Sequence, residues 1–194
     1  MDHRASILAA AAALATMAGP AAAQHRHPAP AAQDAPYAGL QTRPVKALSE
    51  RQIADLRAGR GMGLALPAEL NGYPGPIHVI ELADKLGLTD AQRGRVQALY
   101  EAMKAEAVPL GERLIAQEAH LDGLFADKTV TPAALAVATE AIGATQGALR
   151  AAHLKVHLVT ADALTPDQVR AYAVLRGYAG GHGGGHGAGH GQRR

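Results

Sequence analysis

Histidine offers the most obvious chemistry in this chain of 194 residues, which contains ten histidines and no cysteine. Three of them, His182, His186 and His190, are spaced four residues apart in the glycine-rich segment 179–194. Neutral imidazole is a good ligand for Zn²⁺, Cu²⁺ and Ni²⁺, and glycine leaves the chain flexible enough for three ligands to meet at one ion. We therefore expect this tail to bind a divalent metal. The alternative is a disordered tail that only aids solubility.

A second pair of histidines is expected to share one face of a helix. His153 and His157 are four residues apart in a segment with helical periodicity, so their side chains point the same way. If this helix folds back on the preceding one, Glu101 or Glu106 lies opposite the pair and can complete a small metal site. The alternative is that the two histidines line a polar flank of the hairpin or a dimer interface.

No residue pattern indicates catalysis. The sequence has no serine nucleophile elbow, phosphate-binding loop or His-Glu-x-x-His zinc motif. The glycine-rich run 59–63 is predicted to be a loop, and His78 and His120 are expected to be surface or hydrogen-bonded polar residues. The net charge of +2 and the aromatic content of 3% argue against a nucleic-acid surface. We expect a binding protein without an organic cofactor, and not an enzyme.

The N-terminal residues predict export. An apolar run, 5–18, follows Arg4 and is followed by small residues that fit the cleavage rule, so residues 1–23 are predicted to be a signal peptide cut before Gln24. Residues 24–44 are rich in proline and alanine and predict a disordered linker. No second long apolar stretch follows, so we expect the mature chain to have no membrane span.

The elements that must position the histidines form a long antiparallel helical hairpin. Apolar residues recur every three or four positions after Thr89 and again after Thr131, with a turn at 127–131. Pro109 is expected to kink the first helix near residues 105–108. The facing positions are Val96, Leu99, Met103, Ala107, Leu110, Leu114, Leu121 and Phe125 in the first helix, and Leu135, Ala138, Ile142, Leu149, Ala152, Val156 and Val159 in the second.

Short helices are expected to flank the hairpin in an all-α fold. Residues 45–75 predict one short helix after Ser49 and a glycine- and proline-rich loop, and a last helix follows Thr165. A helix is also expected from Pro76 through Leu86, with Ile77, Ile80 and Leu82 facing inward and Gly87 ending it. Two helices bury only one stripe each, so the hairpin needs a third layer or a partner chain, and dimerisation is one remedy.

One pentapeptide occurs twice, at 88–92 and 164–168, and both copies read Leu-Thr-x-x-Gln. Each predicts a helix start, because threonine can cap the first turn and glutamine three residues later can reach back to the cap amide. The residues of the motif are Leu88, Thr89 and Gln92 in the first copy and Leu164, Thr165 and Gln168 in the second. Two copies in an exported helical hairpin resemble the Spy/CpxP family of periplasmic stress proteins, whose signature is this repeat.

The resemblance covers residues 76–178 and implies function as well as fold. It implies a curved, all-helical homodimer in the periplasm that holds unfolded client proteins without ATP. The family includes zinc-binding and heavy-metal-resistance proteins, so the alternative is a metal sensor or resistance accessory protein that mainly buffers metal or docks on a membrane sensor. The return helix carries few charges, chiefly Glu140, Arg150 and Lys155, which reduces the basic client surface that the resemblance implies.

Overall fold

The structure is a computed structural model that describes residues 36–179. The predicted signal peptide, linker residues 24–35 and the tail histidines His182, His186 and His190 lie outside the described residues. Within 36–179 every regular element is helical and no strand occurs, which confirms the all-α prediction. No helix in this range is both long and apolar enough to span a membrane.

Six α-helices and one short 3₁₀ turn make up the regular structure of residues 36–179. The 3₁₀ turn is Leu40–Thr42, and the helices are α1 (Glu50–Arg57), α2 (Leu66–Glu69), α3 (Pro76–Glu81), α4 (Asp90–Ala126), α5 (Pro132–Asp162) and α6 (Pro166–Leu175). The predicted hairpin is therefore present as α4 and α5, which have 37 and 31 residues.

The hairpin helices begin where the sequence predicted. Thr89 accepts a hydrogen bond from the amide of Gln92 at the start of α4, and Thr131 accepts one from the amide of Ala134 at the start of α5. Lys128 has a φ of +55° in the turn between them, a left-handed conformation that helps to reverse the chain. Helix α4 continues through Pro109 without a break.

The buried stripe of the hairpin is shorter than the sequence predicted. The last buried residue of α4 is Ile115 and the first of α5 is Ala138. Phe125 and Leu135, which were predicted to belong to the apolar stripes of the two helices, lie nearer the turn and are exposed. Val159 is exposed because the inward face of α5 is formed at this point by Val156 and Thr160. These three inward predictions were wrong.

The third layer that the hairpin requires comes from the N-terminal segment of the same chain. Helix α1 packs on α4, and its Leu56 is 2% exposed in a core shared with Met103 and Leu114. The approach is close at Gly111, where a Cβ atom would lie 2.5 Å from the carbonyl oxygen of Leu56. Val45, just before α1, joins the same core. The sequence had left this segment without a structural role.

A second core joins α3 to the starts of α4 and α6. Val79 and Val96 are fully buried and pack with Tyr172, which is 2% exposed. The helix predicted from Pro76 through Leu86 is shorter and ends at Glu81, after which one helical turn leads to Gly87 at φ +59°. Ile80 and Leu82 are half-buried and pack against this core, as predicted, whereas Ile77 is half-buried and is not part of it. Val79, for which no inward position was predicted, is the α3 residue buried in the core with Ala83 and Leu86.

Candidate functional site

The two copies of the repeated pentapeptide both form the capping boxes that the sequence predicted. Thr89 and Thr165 accept hydrogen bonds from the amides of Gln92 and Gln168, at 3.2 Å in each copy. Each glutamine side chain accepts a hydrogen bond from the amide of its own capping threonine. Leu88 and Leu164, which precede the caps, are buried in the second core, at 6% and 9% exposure.

The two motif glutamines also bind each other, which the sequence did not predict. The side-chain amide of Gln92 donates to Oε1 of Gln168 at 2.8 Å, and that of Gln168 donates to Oε1 of Gln92 at 3.1 Å. Gln92 further donates to the carbonyl of Ala163, and Gln168 lies 3.4 Å from the carbonyl of Leu86. The repeat thus holds the starts of α4 and α6 together. Its hydrogen-bonding groups are occupied by the protein, so we assign it a structural role.

His153 and His157 share one face of α5, as predicted, but that face is covered. They are 4% and 8% exposed, and the covering residues belong to the segment 59–76. Nδ1 of His157 donates a hydrogen bond to the carbonyl oxygen of Tyr73 at 2.8 Å. This bond fixes the proton on Nδ1 in the neutral ring and leaves Nε2 as an acceptor or a metal ligand. Neither the polar-flank nor the dimer-interface alternative anticipated this burial within one chain.

Glu69, at the end of α2, lies at the centre of a buried polar cluster beside His157. It is 7% exposed and accepts hydrogen bonds from the hydroxyls of Tyr172 and Tyr178 and from the amide of Gly75. Burial and the hydrogen bond to Glu69 raise the pKa of Tyr172, so its hydroxyl stays protonated and donates. The cluster therefore ties α2 to α6 and to the loop before α3.

Two further nitrogen atoms, one from Arg176 and one from His157, lie close to this carboxylate. Nε of Arg176 lies 3.6 Å from Oε1 of Glu69, and Nδ1 of His157 lies 3.7 Å from Oε2. A buried carboxylate is stable only when such partners replace the water that it loses. Glu69 is thus held as an internal anchor, with its oxygens directed to donors of the same chain.

His153 differs from His157 because its buried nitrogen has no partner. Among the described residues no group hydrogen-bonds to Nε2 of His153, although this atom is inaccessible to water. Burial, and secondarily the nearby His157, lower the pKa of His153, so the ring is neutral at neutral pH. Orphaned buried polar atoms are rare and call for an explanation.

A cavity of about 390 Å³ opens beside the two histidines. Its walls come from the loop 59–63, from the start of α3 and from α4 and α5. Two glycines leave the space open: a Cβ on Gly75 would lie 2.9 Å from Cε1 of His157, and one on Gly61 would lie 3.6 Å from Nδ1 of His153. The glycine-rich loop predicted at 59–63 is therefore the rim of a cavity lined by imidazoles.

The carboxylates proposed to complete a site with His153 and His157 have other partners. Glu101 accepts a hydrogen bond from Gln97, and Glu106 forms an ion pair with Lys155. Within residues 36–179, no three histidine, aspartate or glutamate side chains are arranged to hold a metal ion. The described structure therefore does not bring Glu101 or Glu106 into a three-residue site with His153 and His157.

The two remaining histidines of the described chain have different surroundings. His120 is exposed on α4, as expected for a surface residue. Nδ1 of His78 lies 3.0 Å from Oε2 of Glu81, and its side chain lines the same cavity as His153. His78 is thus a polar residue with a partner, as predicted, and also part of the cavity wall.

A separate apolar surface lies near the turn of the hairpin. A groove of about 560 Å³ runs between α4 and α5, and its lining is mostly alanine, with Val137 at its edge. Val137 is 68% exposed, and Phe125 and Leu135 nearby are 55% and 37% exposed. Leu158 and Val159 are also exposed, near the other end of α5. This surface can accept apolar side chains but carries few groups able to do chemistry.

The comparisons with known proteins agree with the repeated motif. A family model described as LTXXQ motif family protein matches residues 77–176, which contain both pentapeptides. No curated protein and no solved structure gives a significant match. The matched range includes His153 and His157. It begins at residue 77, after the segment 59–76 that covers them.

Proposed function

The chain belongs to the LTXXQ motif family, and from this premise we propose that it is a periplasmic stress protein that holds unfolded clients without ATP. Membership of this family suggests a role in extracytoplasmic stress or metal resistance. In our proposal the protein is a binding protein with no catalytic site of its own, and its clients are polypeptides that expose apolar side chains.

The exposed apolar surface of α5 is the observation that carries the client-binding proposal. Leu135, Val137, Leu158 and Val159 are between 37% and 68% exposed on one helix whose charges are few. A client that buries such side chains gains about 25 cal/mol per Å² of apolar area. The alanines that line the groove near the turn offer little apolar area for a client to bury. The groove therefore favours weak, reversible binding of clients over tight binding.

An aggregation assay with a matched pair of valines tests this proposal. Val137 and Val174 are both exposed on helices, at 68% and 65%, but only Val137 borders the groove. We expect Val137→Asp to raise the protein concentration needed to suppress aggregation of a heat-denatured client about tenfold, since losing one buried valine costs about 1.5 kcal/mol. Val174→Asp should have little effect. Equal activity of both variants and the unmodified chain would reject the groove as the client surface.

Metal binding by the tail is a second function that we propose, supported by the spacing of His182, His186 and His190 in a glycine tract. Three neutral imidazoles can share one Zn²⁺, Cu²⁺ or Ni²⁺ ion, and folding of the tail around the ion lowers the affinity relative to a preformed site. Protonation of the imidazoles releases the ion as the pH falls through about 6.5. If this function dominates, the protein acts mainly as a metal buffer or sensor.

Calorimetry on the full chain separates the two functions. We expect uptake of Zn²⁺, Cu²⁺ or Ni²⁺ at pH 7.5 and none at pH 5, and no uptake of these divalent ions at pH 7.5 when all three tail histidines are changed to glutamine. Aggregation suppression should survive those three changes if client holding is independent of metal. No uptake at pH 7.5 would remove the metal function and leave the client-binding proposal intact.

We also propose that the protein is a homodimer, as the family resemblance implies. The exposed apolar side chains of α5 offer a surface for a second copy, and a membrane sensor is a further partner that they can bind. Light scattering with and without metal measures the mass directly. A monomer under both conditions would remove dimerisation from the account.

A further inference from the structure

The sulfur and imidazole side chains of the described chain are concentrated around one cavity. Residues 36–179 contain two methionines and four histidines. Both methionines, Met62 and Met103, and three of the histidines, His78, His153 and His157, line the cavity of about 390 Å³. Only His120 lies elsewhere, exposed on α4. These donors come from four separate parts of the fold, so their meeting is produced by tertiary structure and not by one sequence run.

The hydrogen bonding of the two histidines on α5 suits metal ligands. His157 donates its Nδ1 proton to the carbonyl of Tyr73, so Nε2 carries the free lone pair. Such a bond from the other ring nitrogen is the usual support of a metal-binding imidazole. His153 is 4% exposed, and its Nε2 has no partner in residues 36–179. An unpartnered buried nitrogen of this kind calls for an explanation, and a bound ion supplies one.

The two methionines supply thioether sulfur as a donor, and one of them is buried while the other is exposed. Met103 is 7% exposed in the wall formed by α4. Met62 is 42% exposed and has a φ of +43°, an unusual backbone conformation for a residue other than glycine. It is held between Gly61 and Gly63 on the rim. Methionine has three rotatable bonds, so the thioether of Met62 can turn over the cavity mouth.

We propose that this cavity is a binding site for Cu⁺, with Met62, Met103, His153 and His157 as its donors. Thioether sulfur is a soft, neutral ligand that selects Cu⁺ over Zn²⁺ or Mg²⁺, and imidazole suits copper as well. The carboxylate among the cavity-lining residues, Glu69, already accepts hydrogen bonds from two tyrosines and an amide, so the sulfur and imidazole groups are the donors left for an ion. This inference is independent of client holding and of the divalent-metal site in the tail.

Titration of Cu⁺ against bicinchoninate, without oxygen and with ascorbate, tests the site. The chain for this experiment is full length, with His182, His186 and His190 changed to glutamine so that the tail contributes no imidazole. We expect one equivalent of Cu⁺ to remain bound, and X-ray absorption to show sulfur in its coordination shell. If this chain fails to compete with bicinchoninate for Cu⁺, the site is rejected, whatever the tail does.

Four substitutions in the same chain identify the donors. Met62→Leu and Met103→Leu keep the apolar volume, so we expect each to fold and to weaken Cu⁺ binding about tenfold or more. His153→Asn should have a similar effect, whereas His120→Asn, outside the cavity, should have none. Folding of each variant is checked by circular dichroism. Unchanged Cu⁺ affinity in the folded Met62→Leu and Met103→Leu variants would overturn the proposal.

Discussion

Gly111→Ala tests how the N-terminal segment packs on the hairpin, because the sequence and the structure predict opposite signs. In an exposed helix interior, replacing glycine by alanine stabilises the helix by about 1 kcal/mol. Gly111 lies inside α4, so helix propensity alone predicts a more stable protein. The structure predicts a less stable one, since the added methyl group meets the backbone of α1.

The size of the effect follows from the contact. A Cβ on Gly111 would lie 2.5 Å from the carbonyl oxygen and 2.9 Å from the carbonyl carbon of Leu56. Backbone atoms cannot rotate away, so α1 must move, and overpacking of this kind costs about 1–3 kcal/mol. Displacement of α1 also exposes part of Leu56, which contributes about 2 kcal/mol when fully buried. After the gain in propensity we expect a net loss of about 2 kcal/mol.

Gly147→Ala is the matched control for this substitution. Gly147 lies inside α5, and no atom lies within 4 Å of the position that its Cβ would occupy. We expect a gain of about 1 kcal/mol there, so the two alanine variants should differ by about 3 kcal/mol. Urea unfolding followed by circular dichroism at 222 nm measures both. Equal stabilisation by the two substitutions would show that α1 does not pack at Gly111 and would refute the three-layer arrangement.

Three further predictions concern the polar groups inside the fold. Gln92→Ala and Gln168→Ala should each destabilise the protein. Because the two side-chain amides bind each other, a double-mutant cycle by urea unfolding should give a coupling energy of about 0.5–3 kcal/mol. If the two losses of stability simply add, the pairing is contradicted. Tyr172→Phe should cost about 1–3 kcal/mol in the same assay by removing a buried donor to Glu69, whereas Tyr73→Phe, at an exposed side chain, should be near neutral. Burial lowers the pKa of His153 in the folded protein, so as the pH falls the unfolded chain binds the proton first. The contribution of His153 to the free energy of unfolding is therefore complete above about pH 6.5 and is lost as the pH falls toward the pKa of the folded state. His153→Asn should therefore flatten the decrease in urea midpoint between pH 7 and pH 5, and an unchanged slope would exclude His153 as its source.

The sequence was sufficient for the parts of the fold that local patterns determine. Thr89, Thr131 and Thr165 all cap helices as predicted, because a cap and its first turn are set by four neighbouring residues. The apolar periodicity located α4 and α5 but placed Phe125 and Leu135 in the core. Periodicity shows which face of a helix is apolar, whereas the length over which that face is covered depends on what packs against it.

The site depended on contacts that no local pattern records. Glu69 is 103 and 109 residues from Tyr172 and Tyr178, the tyrosines on and just after α6 that donate to it, and its surroundings in the sequence are those of an ordinary loop. His153 and His157 were correctly placed on one face, but for residues 59–76 the local pattern predicted only a glycine- and proline-rich loop and gave no sign that it covers them. The glutamine pairing was missed for the same reason, since each capping box is complete within its own pentapeptide.

Amide hydrogen exchange of the unmodified chain tests the central claim most directly, namely that the N-terminal segment is a packed layer that covers His153 and His157. The amides of α1 and the amide of Gly75, which donates to buried Glu69, should exchange much more slowly than those of an unstructured chain. Protection of α1 should approach that of the middle of α4, on which it packs. Fast, unprotected exchange across residues 50–57 with a protected α4 would show that the segment is not docked, and the cavity, its histidines and its methionines would then not form one site.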